Sequence, residues 1–234
     1  MTHHCNHETD HDQYLCVSKV PIFNHLSTNE MEKIVRLASN KVFQKGEILF
    51  RDGDPLEYLY IVHTGQVKMY QLFESGKEQL LRVLNPGEFM GELALFTEKY
   101  IDSYAEAMKP TNICAIHRKD IQQLMQAYPS IAMKIVEKLS SRLEETEELV
   151  SQLSVKDVET RTASYLVKLA EKENSLQIKL PISKKDLASF LGTTQETISR
   201  RLSTFQANDW IEQKGHRNIT IRNLEALTEI ANDT

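Results

Sequence analysis

The chain has 234 residues, 41% hydrophobic and 26% charged, with a net charge of −5; these are proportions of a folded, water-soluble protein with room for two cores. No apolar run reaches the roughly 18 residues of a membrane helix, and the opening MTHHCNHETDHD lacks the apolar centre of a signal peptide, so a cytoplasmic protein with no membrane partner is expected. Cys5, Cys16 and Cys114 cannot all pair within one chain, and in a reducing compartment they read as thiols, metal ligands or redox sensors rather than staples.

Residues 1–20 form a polar arm that holds four of the eight histidines, including His3, His4 and His7, and two of the three cysteines. Short helices are expected at Asn24–Leu26 and Thr28–Ala38. In the second, Ser27 can cap while Met31, Ile34, Val35 and Ala38 recur at helical spacing. Residues 21–117 form the next region. Six of the eight glycines fall between Gly46 and Gly91, spaced 7, 12, 11, 11 and 4 apart. Between them lie β-forming runs: KVFQ, EILF, YLYIVH, VKMYQLF, QLLRVL and, later, NICAIH. Glycines at turns between short strands predict an antiparallel barrel or roll.

Residues 118–154 read as helix. Val136, Leu139, Leu143, Thr146, Val150 and Leu153 alternate spacings of three and four, the heptad seam of a two-helix interface. Glu144, Glu145, Glu147 and Glu148 charge the outside of the same helix, which suits a narrow dimer stripe. A C-terminal domain over 155–234 follows: a helix at Val158–Glu173, a strand at Leu176–Leu180, two short helices, and a hairpin at Ile211–Lys214 and Asn218–Arg222. The fold class is therefore α+β.

The paired helices, Ile182–Phe205, carry the most specific pattern. Ala188, Gly192 and Ile198 sit at n, n+4 and n+10. The small residue permits close helix approach, glycine supplies a left-handed turn, and Ile198 joins Leu187, Leu191, Leu202 and Phe205 in a shared core. With the hairpin this is a winged helix-turn-helix, whose second helix can enter a DNA major groove. Arg200 can pair with guanine and Glu196 with cytosine, and Ser199 can reach a base or a phosphate. Thr193, Thr194 and the helix N-terminus can hold phosphates. Arg201, Lys184 and Lys185 would add salt-sensitive affinity. Lys179–Arg222 holds 8 basic against 4 acidic residues, a local cationic field within an acidic chain.

A glycine-punctuated roll, a long dimer helix and a winged helix-turn-helix together resemble the CRP/FNR regulators. GELALF at Gly91–Phe96 and LGTTQETISRRLSTFQANDWI at Leu191–Ile211 carry the likeness, which spans about residues 20–225. The resemblance implies a cyclic-nucleotide-binding-like β-roll, a homodimer on double-stranded DNA with a palindromic operator, and RNA polymerase as a partner. Glu196-Thr197-Ile198-Ser199-Arg200 is similar to the E-x-x-S-R of the FNR branch, which implies an inverted repeat similar to TTGAT-N4-ATCAA. Gln195 replaces the apolar residue usual there. In the CRP branch a Gly-Glu-Leu cassette followed by Arg-Ser binds cyclic AMP. Here Gly91, Glu92, Leu93 and Ser103 match, but Asp102 stands where the phosphate-binding arginine would be, so cyclic AMP is not expected.

The resemblance also points to the cysteines. Cys114 takes the roll position of an iron–sulfur ligand in FNR proteins, and Cys16 looks like the last N-terminal one, but the dense cysteine spacing is missing. Four readings stay open: a disulfide from Cys114 to Cys5 or Cys16, similar to FNR-like proteins of lactic-acid bacteria; zinc on the three cysteines and one of His3, His4, His7 or His11; an iron–sulfur cluster on three cysteines with a His or Asp ligand; or an inert Cys114. A regulator answering a small effector, or a constitutive DNA binder, remains the alternative. An enzyme is not expected: there is no P-loop, dinucleotide-binding glycine turn or nucleophile–base set.

Overall fold

A computed structural model describes residues 17–18, 20–97 and 100–232. Cys5, Cys16, His3, His4 and His7 lie outside the described residues. The chain divides into two compact units, one formed up to Glu74 with Leu81–Ser141, the other by Ser75–Leu80 with Arg142 onward. Among the described residues no helix is long and apolar enough to cross a membrane.

In the first unit, the stretch expected as a helix at Asn24–Leu26 is instead a run of turns. Helix α1 (Thr28–Leu37) begins with a capping box, in which the Ser27 N–H and hydroxyl donate to Glu30 Oε2 at 2.8 and 2.7 Å. It stops one residue short of the expectation because Ala38 is already extended, opening β1 (Ala38–Phe43). Seven strands follow: β2 (Ile48–Phe50), β3 (Tyr58–Thr64), β4 (Val67–Leu72), β5 (Glu78–Leu84), β6 (Phe89–Met90), β7 (Tyr104–Ala107) and β8 (Thr111–His117). They make two four-stranded sheets, ordered β1-β8-β3-β6 and β2-β7-β4-β5. Neighbours in these sheets are mostly distant in sequence, as in a roll. β6 and β7 carry no strong strand signal: one has two residues, and the other reads YAEA, rich in weak strand formers.

Strand alternation divides the core of this unit in two. Tyr60 and Val62 of β3, with Ile113 and Ala115 of β8, face a cluster inside the roll that includes Phe50, Met69 and Met90. Leu59, Ile61 and Ile116 face a second cluster, where Phe23, Ile34, Ile121, Ile131 and Ile135 pack against them. Two helices supply that outer layer: α2 (Arg118–Ala127) and α3 (Pro129–Val155). A single helix over 118–154 was expected. It breaks at Tyr128 (φ −131°, ψ 82°), because a residue before proline is pushed out of the helical region while Pro129 itself fits the first helical position.

The second unit starts within α3. Helix α4 (Val158–Glu173) is capped by Asp157, whose carboxylate accepts from Thr160 N–H at 2.8 Å, and it ends at Asn174 in the left-handed region. Strand β9 (Gln177–Lys179), helices α5 (Lys184–Phe190) and α6 (Gln195–Ala207), and strands β10 (Ile211–Lys214) and β11 (Asn218–Ile221) follow. The strands form one antiparallel sheet in the order β10-β11-β9. A last helix, α7 (Leu224–Asn232), was not anticipated; it packs on α4, and Lys156 Nζ and Ser164 Oγ donate to the Ala231 carbonyl at 2.5 and 3.1 Å.

Candidate nucleic-acid interface

Local chemistry sets the two helices at their turn. Ser183 caps α5 by accepting from Asp186 N–H at 3.1 Å. Gly192 then adopts φ 67°, a left-handed value that a side chain would strain. Thr194 caps α6, accepting from Thr197 N–H at 3.3 Å. Leu187, Ala188, Leu191, Ile198, Leu202 and Phe205 are all buried, so the small-residue, glycine and aliphatic positions read from the sequence do close one core.

With Ile198, Leu202 and Phe205 turned inward, the rest of α6 is left outside. Gln195, Glu196 and Arg200 are exposed and Ser199 is half-buried, so the four share one short outward segment at the helix start. Backbone hydrogen bonding at the helix start, then the Thr194 hydroxyl and the Arg200 charge, hold the Glu196 carboxyl below its ordinary range. Arg200 Nη2 donates to Thr197 Oγ1 at 3.3 Å, and Thr197 Oγ1 lies 3.1 Å from the capping Thr194 hydroxyl. Thr197 was missed in the sequence. Its signal was the i, i+3 spacing to both partners.

The auxiliary cations differ among themselves. Lys185 is exposed with no ion-pair or hydrogen-bond partner among the described residues. Lys184 Nζ donates to Gln213 Oε1 at 2.8 Å, and Arg201 Nη1 pairs with Glu159 Oε2 at 2.7 Å. These two cations tie α5 to the hairpin and α6 to α4. Thr193 is half-buried, its N–H donating to the Ala188 carbonyl at 2.9 Å. At the hairpin tip Lys214, His216 and Arg217 are exposed around Gly215. Lys214 also pairs with Glu212 at 3.3 Å, and Arg222 pairs with the same carboxylate, which holds Glu212 below its ordinary range.

The roll holds a pocket of about 170 Å³ beside Gly91 and Glu92. Gly91 has φ 83°, and an added Cβ would lie 2.3 Å from the Tyr58 carbonyl oxygen, so only glycine fits. Glu92 is 7% exposed and pairs with Arg82 Nη2 of β5 at 3.2 Å. Arg82 was not anticipated; it pairs with one oxygen of the Glu92 carboxylate, Oε1. Asp102 lies on the pocket wall next to buried Ser103, with no cationic group in the cassette's arginine position.

Cys114 is half-buried on β8, opposite Asn40 of β1 and Ile61 of β3, and packs on the helix-covered cluster that includes Val17 and Val20. Among the described residues no three His, Cys, Asp or Glu side chains gather as a metal site. On α3, Met133, Val136, Leu143 and Val150 are exposed at 61, 51, 59 and 58%, whereas Leu139 is half-buried against the same cluster. Thr146 Oγ1 donates to the Arg142 carbonyl at 2.8 Å. Of the expected seam, Val136, Leu143 and Val150 are thus exposed and Leu139 is shared with the core, while the Leu153 side chain lies outside the described residues.

Two family models match the chain: a cyclic nucleotide-binding domain over residues 40–128 and a Crp-like helix-turn-helix domain over residues 160–230. The chain is 30% identical to a probable transcriptional regulator, Flp, of Lacticaseibacillus casei, across 92% of this chain and 98% of that one. It is also 30% identical to the fumarate and nitrate reduction regulatory protein of Vibrio cholerae, across 94% and 90%. The solved structure of FixK2 from Bradyrhizobium japonicum matches with a TM-score of 0.72 and 25% identity, covering 84% of this chain and 98% of that one.

Proposed function

The chain belongs to the CRP/FNR family of transcription regulators, with a DNA-binding helix-turn-helix and no enzymatic role, and from that membership we propose that it acts as a homodimer on an FNR-type inverted repeat. The observation that carries the reading is the outward segment of α6, where Glu196, Ser199 and Arg200 stand clear of a core made by Ile198, Leu202 and Phe205. Arg200 is assigned to a guanine edge, Glu196 to a cytosine amino group, Ser199 to a base or phosphate, and Gln195 to the outer bases of each half-site. Thr193, Thr194 and the α6 N-terminus are assigned to phosphates, with Lys185 and the hairpin tip beside them. Lys184 and Arg201 contribute less directly, since each already holds an internal partner.

Pairing along α3 supplies the second reading head. Met133, Val136, Leu143 and Val150 form a solvent-facing apolar stripe that a matching helix would cover. An operator-shift assay on TTGAT-N4-ATCAA tests the whole reading. Salt-sensitive binding that is lost on a scrambled duplex is expected, and equal affinity for both duplexes would refute it. RNA polymerase is the expected protein partner on the operator.

For control, a thiol switch between Cys114 and Cys5 or Cys16 is proposed from the three thiols of the chain, of which Cys114 lies half-buried on β8 while Cys5 and Cys16 are outside the described residues. Oxidation should then remove two of three titratable thiols and change operator affinity. Zinc or an iron–sulfur cluster would take Cys114 with ligands from Cys5, Cys16 and the N-terminal histidines, which lie outside the described residues, and no step is assigned to either. Cyclic AMP is disfavoured by Asp102, an anion on the pocket wall where the cassette's arginine would pair with phosphate.

A further inference from the structure

The second unit contains a cavity of about 360 Å³, within the volume range of small-molecule sites. Its floor is apolar: Leu149 of α3, Tyr165 and Leu169 of α4, and Phe190 and Leu191 at the end of α5. The Tyr165 and Phe190 rings meet edge to face with centroids 6.1 Å apart. Burial, then the Glu173 charge, pushes the Tyr165 phenol up to about 12, so it remains a neutral donor.

Charge frames the mouth. Glu148 of α3 pairs with Lys168 of α4 across it. One turn further along the two helices stand Glu145 and Lys172, at i−3 and i+4 from that pair, both lining the same cavity. Both are exposed, and neither has a hydrogen bond or ion pair among the described residues. The second rung of this ladder is therefore open, with a carboxylate and an ammonium facing the cavity mouth from opposite helices. In the heptad with Leu143 and Val150 at a, Glu145 and Glu148 take c and f, away from the apolar stripe.

We propose that this cavity binds an apolar, preferably aromatic, α-amino acid as its zwitterion. The side chain lies on the Tyr165–Phe190 floor, the ligand carboxylate takes Lys172, and the ligand ammonium takes Glu145. A plain carboxylic acid would leave Glu145 without a partner, and a plain amine would leave Lys172 without one, so both charges are needed to complete the rung. Occupancy would tie α3 to α4 and to the end of α5, joining the long helix to the DNA-reading pair.

Calorimetric titration of the full-length protein tests this without DNA, so its outcome is separate from that of the operator assay. L-phenylalanine should bind saturably and raise the melting temperature. N-acetyl-L-phenylalanine and 2-phenylethylamine, each lacking one charge, should bind at least about 10-fold more weakly, as should the Glu145→Gln and Lys172→Met variants, whose circular dichroism should match the parent. The proposal is overturned if L-phenylalanine gives no saturable binding up to about 10 mM, a range in which a millimolar site would register. It is equally overturned if either analogue binds as well as L-phenylalanine, if either variant keeps the parent affinity, or if a direct Glu145–Lys172 pair closes the rung and excludes the ligand.

Discussion

Two glutamates follow glycine-marked turns in this chain, and their environments are opposite. Glu92 comes directly after left-handed Gly91 and is buried against Arg82, so its charge is neutralised within the roll. Glu196 comes four residues after left-handed Gly192 and is exposed, held as an anion by the helix start, the Thr194 hydroxyl and the Arg200 charge. The first carboxylate has an internal partner and the second is available to an external one. What distinguishes them is the neighbour that the fold delivers: β5 brings an arginine to Glu92, while α6 turns Glu196 outward with its own arginine one turn along. A glutamate in a recognisable motif therefore marks a binding position only when its charge is not already used.

The most disruptive way to break this contrast is to remove what turns α6 outward. Phe205→Ala empties a fully buried aromatic site and should cost about 3–5 kcal/mol of the second unit's stability, read by denaturant unfolding. Glu92→Ala should cost about 1–3 kcal/mol, because it leaves the Arg82 guanidinium without its carboxylate in a partly buried site. The double change Arg82→Met with Glu92→Gln should recover much of that loss, and failure to recover would mean the pair matters beyond mutual neutralisation. Arg200→Ala should leave folding unchanged and cost about 1–3 kcal/mol of binding at one base pair of each half-site. Equal losses on specific and scrambled duplexes would sink the base-reading assignment.

The smallest effect concerns acid. The Glu196 carboxyl is held below its ordinary value of 4.5, so its contribution to α6 is fully present above that value and lost as pH falls through the lower folded-state value. Glu196→Gln should flatten this part of the acid-unfolding profile by slightly lowering stability at neutral pH, with variant and parent converging in acid. An unaltered acid profile would mean that the other lowered carboxyls, such as Asp157 at the start of α4, account for it.

Much of the fold was legible because its signals are local. Glycine spacing marked the turns of the roll, and the Ala188–Gly192–Ile198 spacing marked the helix pair, whose inward residues are buried as anticipated. The break at Tyr128 was also written locally, in Pro129, but the helical periodicity on either side masked it. β7 was illegible for a different reason. Its four residues become a strand because β2 and β4 flank them with backbone donors and acceptors, not because YAEA prefers extension.

The candidate sites divide the same way. Glu196, Ser199 and Arg200 could be placed on one face from helical periodicity alone, since residues three and four apart share a face. Arg82 against Glu92, Arg201 against Glu159 and Lys184 against Gln213 could not, because each joins residues 10, 42 and 29 positions apart. By itself the sequence determined the α+β organisation, the helix-turn-helix and the outward chemistry of α6, all of which follow from short-range periodicity and turn chemistry. Only the tertiary structure decided which charges are already satisfied, where β7 is held, and that an open rung at Glu145 and Lys172 lies over an apolar floor. Those outcomes depend on which distant side chains the packed elements bring within hydrogen-bonding reach, and no pattern along the chain encodes that distance.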